Sequence, residues 1–244
     1  MTILKTDTVS GIGTEGTVFE GDITFDSLNY MTLPKGKTAE RLTGARGIFA
    51  GGRTPAINVI QYWDFTSVDP GVALDFGDLT TAIRYAGGCG SNTRGIIYNG
   101  YQPVALNRIE YITISTTGNA SDFGDLTSVR RGVISFSSNT RGIFAGGYTP
   151  TLLNNIEFVT IASEGNSKDF GDLSDTGQHN PGAISDGMRG HIGGGGVGPS
   201  PSLIGLQAVT IPTMGNSFAF GDLLIAGTGG DGPAGISDGH GGLT

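Results

Sequence analysis

Cysteine is almost absent: Cys89 is the only one in 244 residues. That excludes an intrachain disulfide framework and a cysteine-based metal site. Histidine is scarce as well. His179, His191 and His240 are unevenly spaced and have no clustered carboxylates around them, which argues against a zinc centre. Charged residues make up only 15 % of the chain, so many surface positions fall to Ser, Thr, Asn and Gly. The net charge of −8 argues against a nucleic-acid partner, because phosphate binding rests on clustered Lys and Arg. No stretch approaches the roughly 18 apolar residues of a membrane-spanning helix, so no membrane insertion is expected. The opening segment MTILKTDTVSGIGTEG lacks the apolar core of a signal peptide, which predicts synthesis in a cytoplasm without Sec export. No window carries the i, i+3, i+4, i+7 apolar stripe of an amphipathic helix.

Glycine is abundant, at 44 residues, and it is periodic. RGIFAGG at Arg46 returns as RGIIYNG at Arg94, RGIFAGG at Arg141 and RGHIGGG at Arg189, at spacings of 48, 47 and 48. FGDL recurs at Phe76, Phe123, Phe170 and Phe220, at spacings of 47, 47 and 50. A fixed period of this length marks a repeat architecture. It also weakens single-residue functional readings, since a residue present in every copy belongs to the building unit first.

The cleanest copy runs from Arg131 to Leu173. Gly132–Ser138 and Ile143–Gly147 are short apolar runs of strand type. NTRG (139–142) between them predicts a tight turn, since Asn and Gly tolerate left-handed backbone. Tyr148–Asn155 reads as a loop around Pro150. Ile156–Ala162 alternates β-branched and aromatic residues and predicts a third strand. Asp169–Leu173 predicts a short fourth. Four strands joined by turns form one antiparallel unit of about 48 residues, and such units repeated around an axis make a β-propeller.

These residues resemble kelch repeats: an Arg ahead of a strand that ends in Gly-Gly (Gly51-Gly52, Gly146-Gly147, Gly194-Gly195), then a proline loop, then a third-strand aromatic (Tyr62, Tyr111, Phe158). The second copy has Asn99-Gly100 and the last has Ala208. The FGDL phenylalanines sit near the place of the kelch tryptophan. Two end segments complement each other. Leu28–Pro34 matches a third strand, and Gly232–Leu243 matches a first and second. The expected fold is therefore an all-β, kelch-like propeller of about five four-stranded blades, closed by the N- and C-terminal strands, with Tyr30 in the same blade as Ile236. The alternative is pairing of those ends with neighbouring chains. Residues 1–27 are expected to form an attachment segment and residues 28–244 the propeller domain.

Other motifs have structural readings. Asp75-Phe76-Gly77, Asp122-Phe123-Gly124 and Asp169-Phe170-Gly171 have a kinase-like spelling but no accompanying kinase motifs. Asp78, Asp125, Asp172 and Asp222 are expected to accept backbone N–H bonds in turns. His191–Gly198 lacks the helix that a phosphate cradle needs. Arg46, Arg94, Arg141 and Arg189 are expected to pair with repeat acids such as Glu110 and Glu157 or to stack on aromatics. Anion binding in a channel is the other reading of these arginines. No GxSxG and no credible Cys/His pair occurs.

The proline loops remain. Thr54-Pro55, Tyr101-Gln102-Pro103, Tyr148-Thr149-Pro150 and Ser200-Pro201 recur in register and are the candidate partner-binding loops, with Tyr101 and Tyr148 as anchors. The phrases TRGIFAGGYTP, IEYITI and TTGNASDFGDL resemble repetitive structural proteins of marine tailed phages, cyanophages especially. That resemblance implies a non-enzymatic virion protein with no catalytic residue, cofactor or metal. It would be assembled in the host cytoplasm and displayed in many copies on tail or head. Its partners would be other virion proteins, and a host-surface receptor or glycan. An intracellular kelch-type binding module and a glycan-acting propeller enzyme are the competing classes.

Overall fold

A computed structural model of the chain describes residues 46–53, 55–64, 71–174, 182–195 and 205–223. All of them belong to the compact unit Ala39–Thr244; Met1–Thr38 forms a second unit. The expected 27/28 boundary, the Tyr30–Ile236 pairing and both end segments lie outside the described residues.

The all-β expectation holds. The described residues form sixteen strands and no helix. The first sheet contains β1 (Arg46–Arg53), β2 (Ala56–Asp64) and β3 (Leu74–Ile83). The second contains β4 (Gly87–Gly90), β5 (Arg94–Tyr98), β6 (Tyr101–Gln102), β7 (Val104–Thr113) and β8 (Ser121–Arg130). The third contains β9 (Ile134–Ser137), β10 (Arg141–Ala145), β11 (Asn155–Thr160) and β12 (Lys168–Asp172). The fourth contains β13 (Gly182–Ser185), β14 (Arg189–Gly193), β15 (Gly205–Thr210) and β16 (Phe218–Asp222). Each sheet is an antiparallel meander, with β6 as a small addition to β7. The DFG spellings are strand sequence, in β3, β8 and β12, and His191–Gly193 closes β14.

Alternation decides the core. Successive strand residues point to opposite faces of a sheet, so Ile97 packs towards the first sheet and Ile96 towards the third. Likewise Phe144 joins the core shared with the second sheet and Ile143 the core shared with the fourth. Three apolar layers result, each built from two consecutive sheets. Single repeats have no private core, which is why the period is preserved along the chain.

The FGDL phrase encodes a β-bulge. Ile156 pairs with Gly171 and Glu157 with Asp169, so Phe170 is the extra residue. The same register shift recurs opposite Ile60, Ile109 and Leu206. A bulge takes its extra residue out of the ladder. The freed Phe carbonyl then accepts an N–H from the next repeat. Gly118 donates to Phe76 at 2.7 Å, Gly165 to Phe123 at 2.8 Å and Gly215 to Phe170 at 2.8 Å. Two residues on, Ala120, Ser167 and Ser217 donate to the carbonyls of Asp78, Asp125 and Asp172. The intervening Asn119, Asn166 and Asn216 accept the N–H of those same aspartates through Oδ1, each at 3.0 Å. The expectation for the aspartates is thereby corrected. Their backbones make the joint, and the carboxylates of Asp78, Asp125 and Asp172 accept no hydrogen bond among the described residues.

The turn expectation is corrected too. Asn139 does not adopt positive φ; the tight turn is held by Ser138, whose Oγ accepts the N–H groups of Thr140 and Arg141. Ser91 does the same for Thr93 and Arg94. Asp186 replaces it in the fourth sheet, and the N–H groups of Arg189 and Met188 hold its carboxyl below the usual carboxylate range.

Candidate functional site

The repeated polar residues are spent on the joints between sheets. Glu110 is fully buried and accepts from the N–H and hydroxyl of Thr80 in the preceding sheet. Glu157 takes the N–H of Thr127 at 3.0 Å and its hydroxyl at 2.6 Å. Gln207 accepts from Ser174 in the same manner. The repeat arginines take the second option expected for them. Arg46 lies 4.7 Å over Tyr62, Arg94 4.7 Å over Tyr111 and Arg141 5.0 Å over Phe158. Each also donates across to the next sheet, to the carbonyls of Ile114, Ile161 and Ile211. Behind each ring stands the bulge phenylalanine, edge to face at 5.9 to 6.1 Å. In the last copy Ala208 removes that ring. Phe220 meets His191 instead, and Arg189 is left exposed.

Arg130 is the departure from the repeat. It is fully buried, and its Nη2 lies 2.9 Å from the equally buried Glu157. Nη1 donates to Asn155 Oδ1 at 2.5 Å, and the Arg130 carbonyl accepts from the Tyr98 hydroxyl. Burial pulls the Arg130 pKa down against the opposing pull of Glu157, and burial pushes the Tyr98 phenol up. Cys89 is equally inert. Its Sγ lies in the second core layer against Gly142, and desolvation pushes the thiol up to about 12. A thiol so rarely ionised is a poor nucleophile at neutral pH. No three of His, Cys, Asp and Glu come together among the described residues.

The proline loops fall as follows. Thr54, Ser200 and Pro201 lie outside the described residues, and Pro55 is exposed. The two middle loops are placed alike. Tyr101 and Gln102 form β6, and the Tyr101 carbonyl accepts from Arg84 N at 3.1 Å. Tyr148 exchanges backbone hydrogen bonds with Arg131 at 2.9 and 3.2 Å, and Thr149 N reaches Thr151 O around Pro150. Leu106 N closes onto Gly100 O, as Leu153 N does onto Gly147 O. Pro103 and Pro150 are exposed at the tips; Gln102 and Thr149 are half-buried.

The two links between sheets bring these loops together. Arg84 lies 4.6 Å over the Tyr101 ring, and Arg131 lies 5.4 Å from that ring and 5.2 Å over Tyr148. Tyr85, held in left-handed backbone at φ 59°, packs edge-on against Tyr101 at 6.4 Å. The result is a half-buried band of three tyrosines and two arginines across the first three sheets. Sequence reading found Tyr101 and Tyr148 but not Arg84, Tyr85 or Arg131. The signal was present, since Arg84 and Arg131 each follow the bulge phenylalanine by eight residues. A groove of about 370 Å³ lies at the opposite strand ends, between Ser138–Arg141 and Asp186–Met188, and shares no residue with this band.

Compared with known proteins, the sequence matches no family model and no curated protein.

Proposed function

We propose that the four sheets are successive blades of a kelch-like β-propeller of about five. The fifth blade would be completed by the strand sequences Leu28–Pro34 and Gly232–Leu243. One observation carries this reading. Three joints of identical design are filled, and one joint is half-made at each end of the described array. At one end, Phe220, Gly221 and Asp222 repeat the bulge register, yet Phe220 is 53 % exposed and no described residue stands within 4 Å of a Cβ built on Gly221. At the other end Gly71-Val72-Ala73 occupies the place of Gly118-Asn119-Ala120, four residues before its Asp, with Val72 88 % exposed. A further blade would supply both missing halves and remove two open ends. Gly221→Ala tests it. Closure predicts destabilisation as large as that of the equivalent change inside the array. A cost no greater than the backbone strain of alanine at positive φ, about 1–3 kcal/mol, would sink the five-blade ring.

In this reading the protein is a non-enzymatic virion structural protein of a tailed phage, displayed in many copies. The support is that the repeated acids and arginines serve as cement between sheets. The chemistry left over is a rim of loops on a rigid scaffold, where weak contacts add by multivalency. Residues 1–27 would attach it to a neighbouring virion protein, and the Tyr101 and Tyr148 loops would face a partner protein or the host surface. Purified particles of the encoding phage are expected to contain the full-length chain by mass spectrometry. Deleting residues 1–27 is expected to abolish incorporation while leaving the β-sheet circular dichroism unchanged. Particles free of the protein, or normal incorporation of the truncated chain, would refute the role or the anchor respectively.

A further inference from the structure

Among the described residues, Arg84 and Arg131 are the half-buried arginines whose side chains meet no oxygen. Arg46, Arg94, Arg130 and Arg141 each donate to a carbonyl, an amide or a carboxylate. Neither Arg84 nor Arg131 has a side-chain hydrogen bond or an ion pair among the described residues. Their flat faces are covered by tyrosine rings, and stacking of this kind orients the guanidinium fork while leaving its N–H edge open. Both forks share the Tyr101 ring, at 4.6 and 5.4 Å. Two like charges therefore share one ring, half-buried, with no carboxylate paired to either among the described residues, on a chain whose net charge is −8. Open donors in a fixed fork match the oxygens of an anionic group.

We infer that the band Arg84–Tyr85–Tyr101–Arg131–Tyr148 binds an acidic polysaccharide through its sulfate or carboxylate groups. A polymer fits better than a free ion because Arg84 and Arg131 recur one repeat apart along the rim, each in the link between two sheets. A sugar fits because the half-buried tyrosines keep some apolar ring surface exposed beside the forks for C–H contacts while the forks take the charge. Nucleic acid is disfavoured by two isolated cations on an acidic chain. This inference rests on the reading of the rim as a binding face and supplies its ligand class.

The test is binding of the full-length protein to dextran sulfate, polygalacturonate and uncharged dextran, followed by biolayer interferometry at physiological salt. Binding to either charged polymer and none to dextran is expected, and the two charged arms tell sulfate from carboxylate. Arg84→Gln with Arg131→Gln is expected to weaken binding at least tenfold. Lys168→Gln with Arg189→Gln removes the same charge from exposed positions elsewhere and is expected to change it less than twofold. Should the glutamine pair fail to fold, Arg84→Lys with Arg131→Lys keeps the charge, loses the planar fork and is expected to bind several-fold more weakly. Absence of binding to both charged polymers, equal losses in the two glutamine pairs, full affinity in the lysine pair, or equal binding of poly-glutamate would each overturn the inference. A protein present in virions but blank on all glycans would refute the ligand and leave the structural role standing.

Discussion

Gly124→Ala is expected to be among the most destabilising single-methyl changes in this protein. Gly124 has φ 144°, and a Cβ there would lie 2.5 Å from the backbone carbonyl of Gly165. Gly171 is in the same position against Gly215, at φ 148° and 2.5 Å. The obstructing atoms are backbone atoms of the neighbouring sheet, so no rotamer change relieves the clash. The methyl must push the Gly165–Ser167 segment away. That breaks the bonds from Gly165 to Phe123, from Ser167 to Asp125, and from the Asp125 N–H to Asn166. Left-handed strain of about 1–3 kcal/mol and the loss of three hydrogen bonds at about 1 kcal/mol each act together. The denaturation midpoint of Gly124→Ala is expected to fall by the equivalent of about 4 kcal/mol or more, against about 1–3 kcal/mol for Gly118→Ala, which shares the strain but meets nothing within 4 Å among the described residues. Equal costs for the two would show that the bulge joint is not what holds consecutive sheets.

Removing the charge of Arg130 alone should cost nearly as much, and removing its partner as well should restore most of the loss. In Arg130→Ile, the Glu157 carboxyl loses its cationic partner and stays 1 % exposed, with Thr127, Asn155 and Ser167 as its donors among the described residues. Breaking one side of a buried ion pair costs about 3–5 kcal/mol, whereas replacing both sides by well-packed neutral groups is often close to neutral. The neighbouring repeats already contain the neutral solution. Ile83 fills the place of Arg130 in the first sheet, fully buried, and Gln207 fills the place of Glu157 in the fourth, accepting from Ser174 and Ser217. Arg130→Ile with Glu157→Gln is therefore expected to unfold within about 1–2 kcal/mol of the parent. Chemical denaturation of the parent, both singles and the double gives the coupling directly. A single Arg130→Ile change that costs under about 1 kcal/mol would show that the Arg130–Glu157 pair is not what holds this joint.

The repeat period, the all-β class and the strand order were legible in the sequence, for a physical reason. Each repeat buries both faces against its neighbours, so its pattern of apolar and turn residues must recur at every copy. Ile143 and Phe144 announce two opposite cores from adjacent positions. The recurrence of FGDL was legible, but its role as a bulge was not. A bulge is a mismatch between two strands, and neither strand alone encodes it. The same holds for Asn119, Asn166 and Asn216. Their Gly-Asn spelling reads as a turn, and its use as a plug for the preceding sheet depends on which carbonyl the bulge has freed.

For the candidate site, the local sequence determined that loops carrying Tyr101 and Tyr148 would recur in register. Period and proline placement are properties of the chain itself. Only the tertiary structure decided that Arg84 and Arg131, from the links between sheets, would share a tyrosine ring. It alone decided that, among the described residues, these two arginines meet no oxygen while Arg46, Arg94 and Arg141 find one. Every one of these arginines carries the same charge, and both sets recur at intervals of 47 or 48 residues. What separates them is which carbonyls the packing of adjacent sheets brings within reach, and that is set by contacts between residues tens of positions apart.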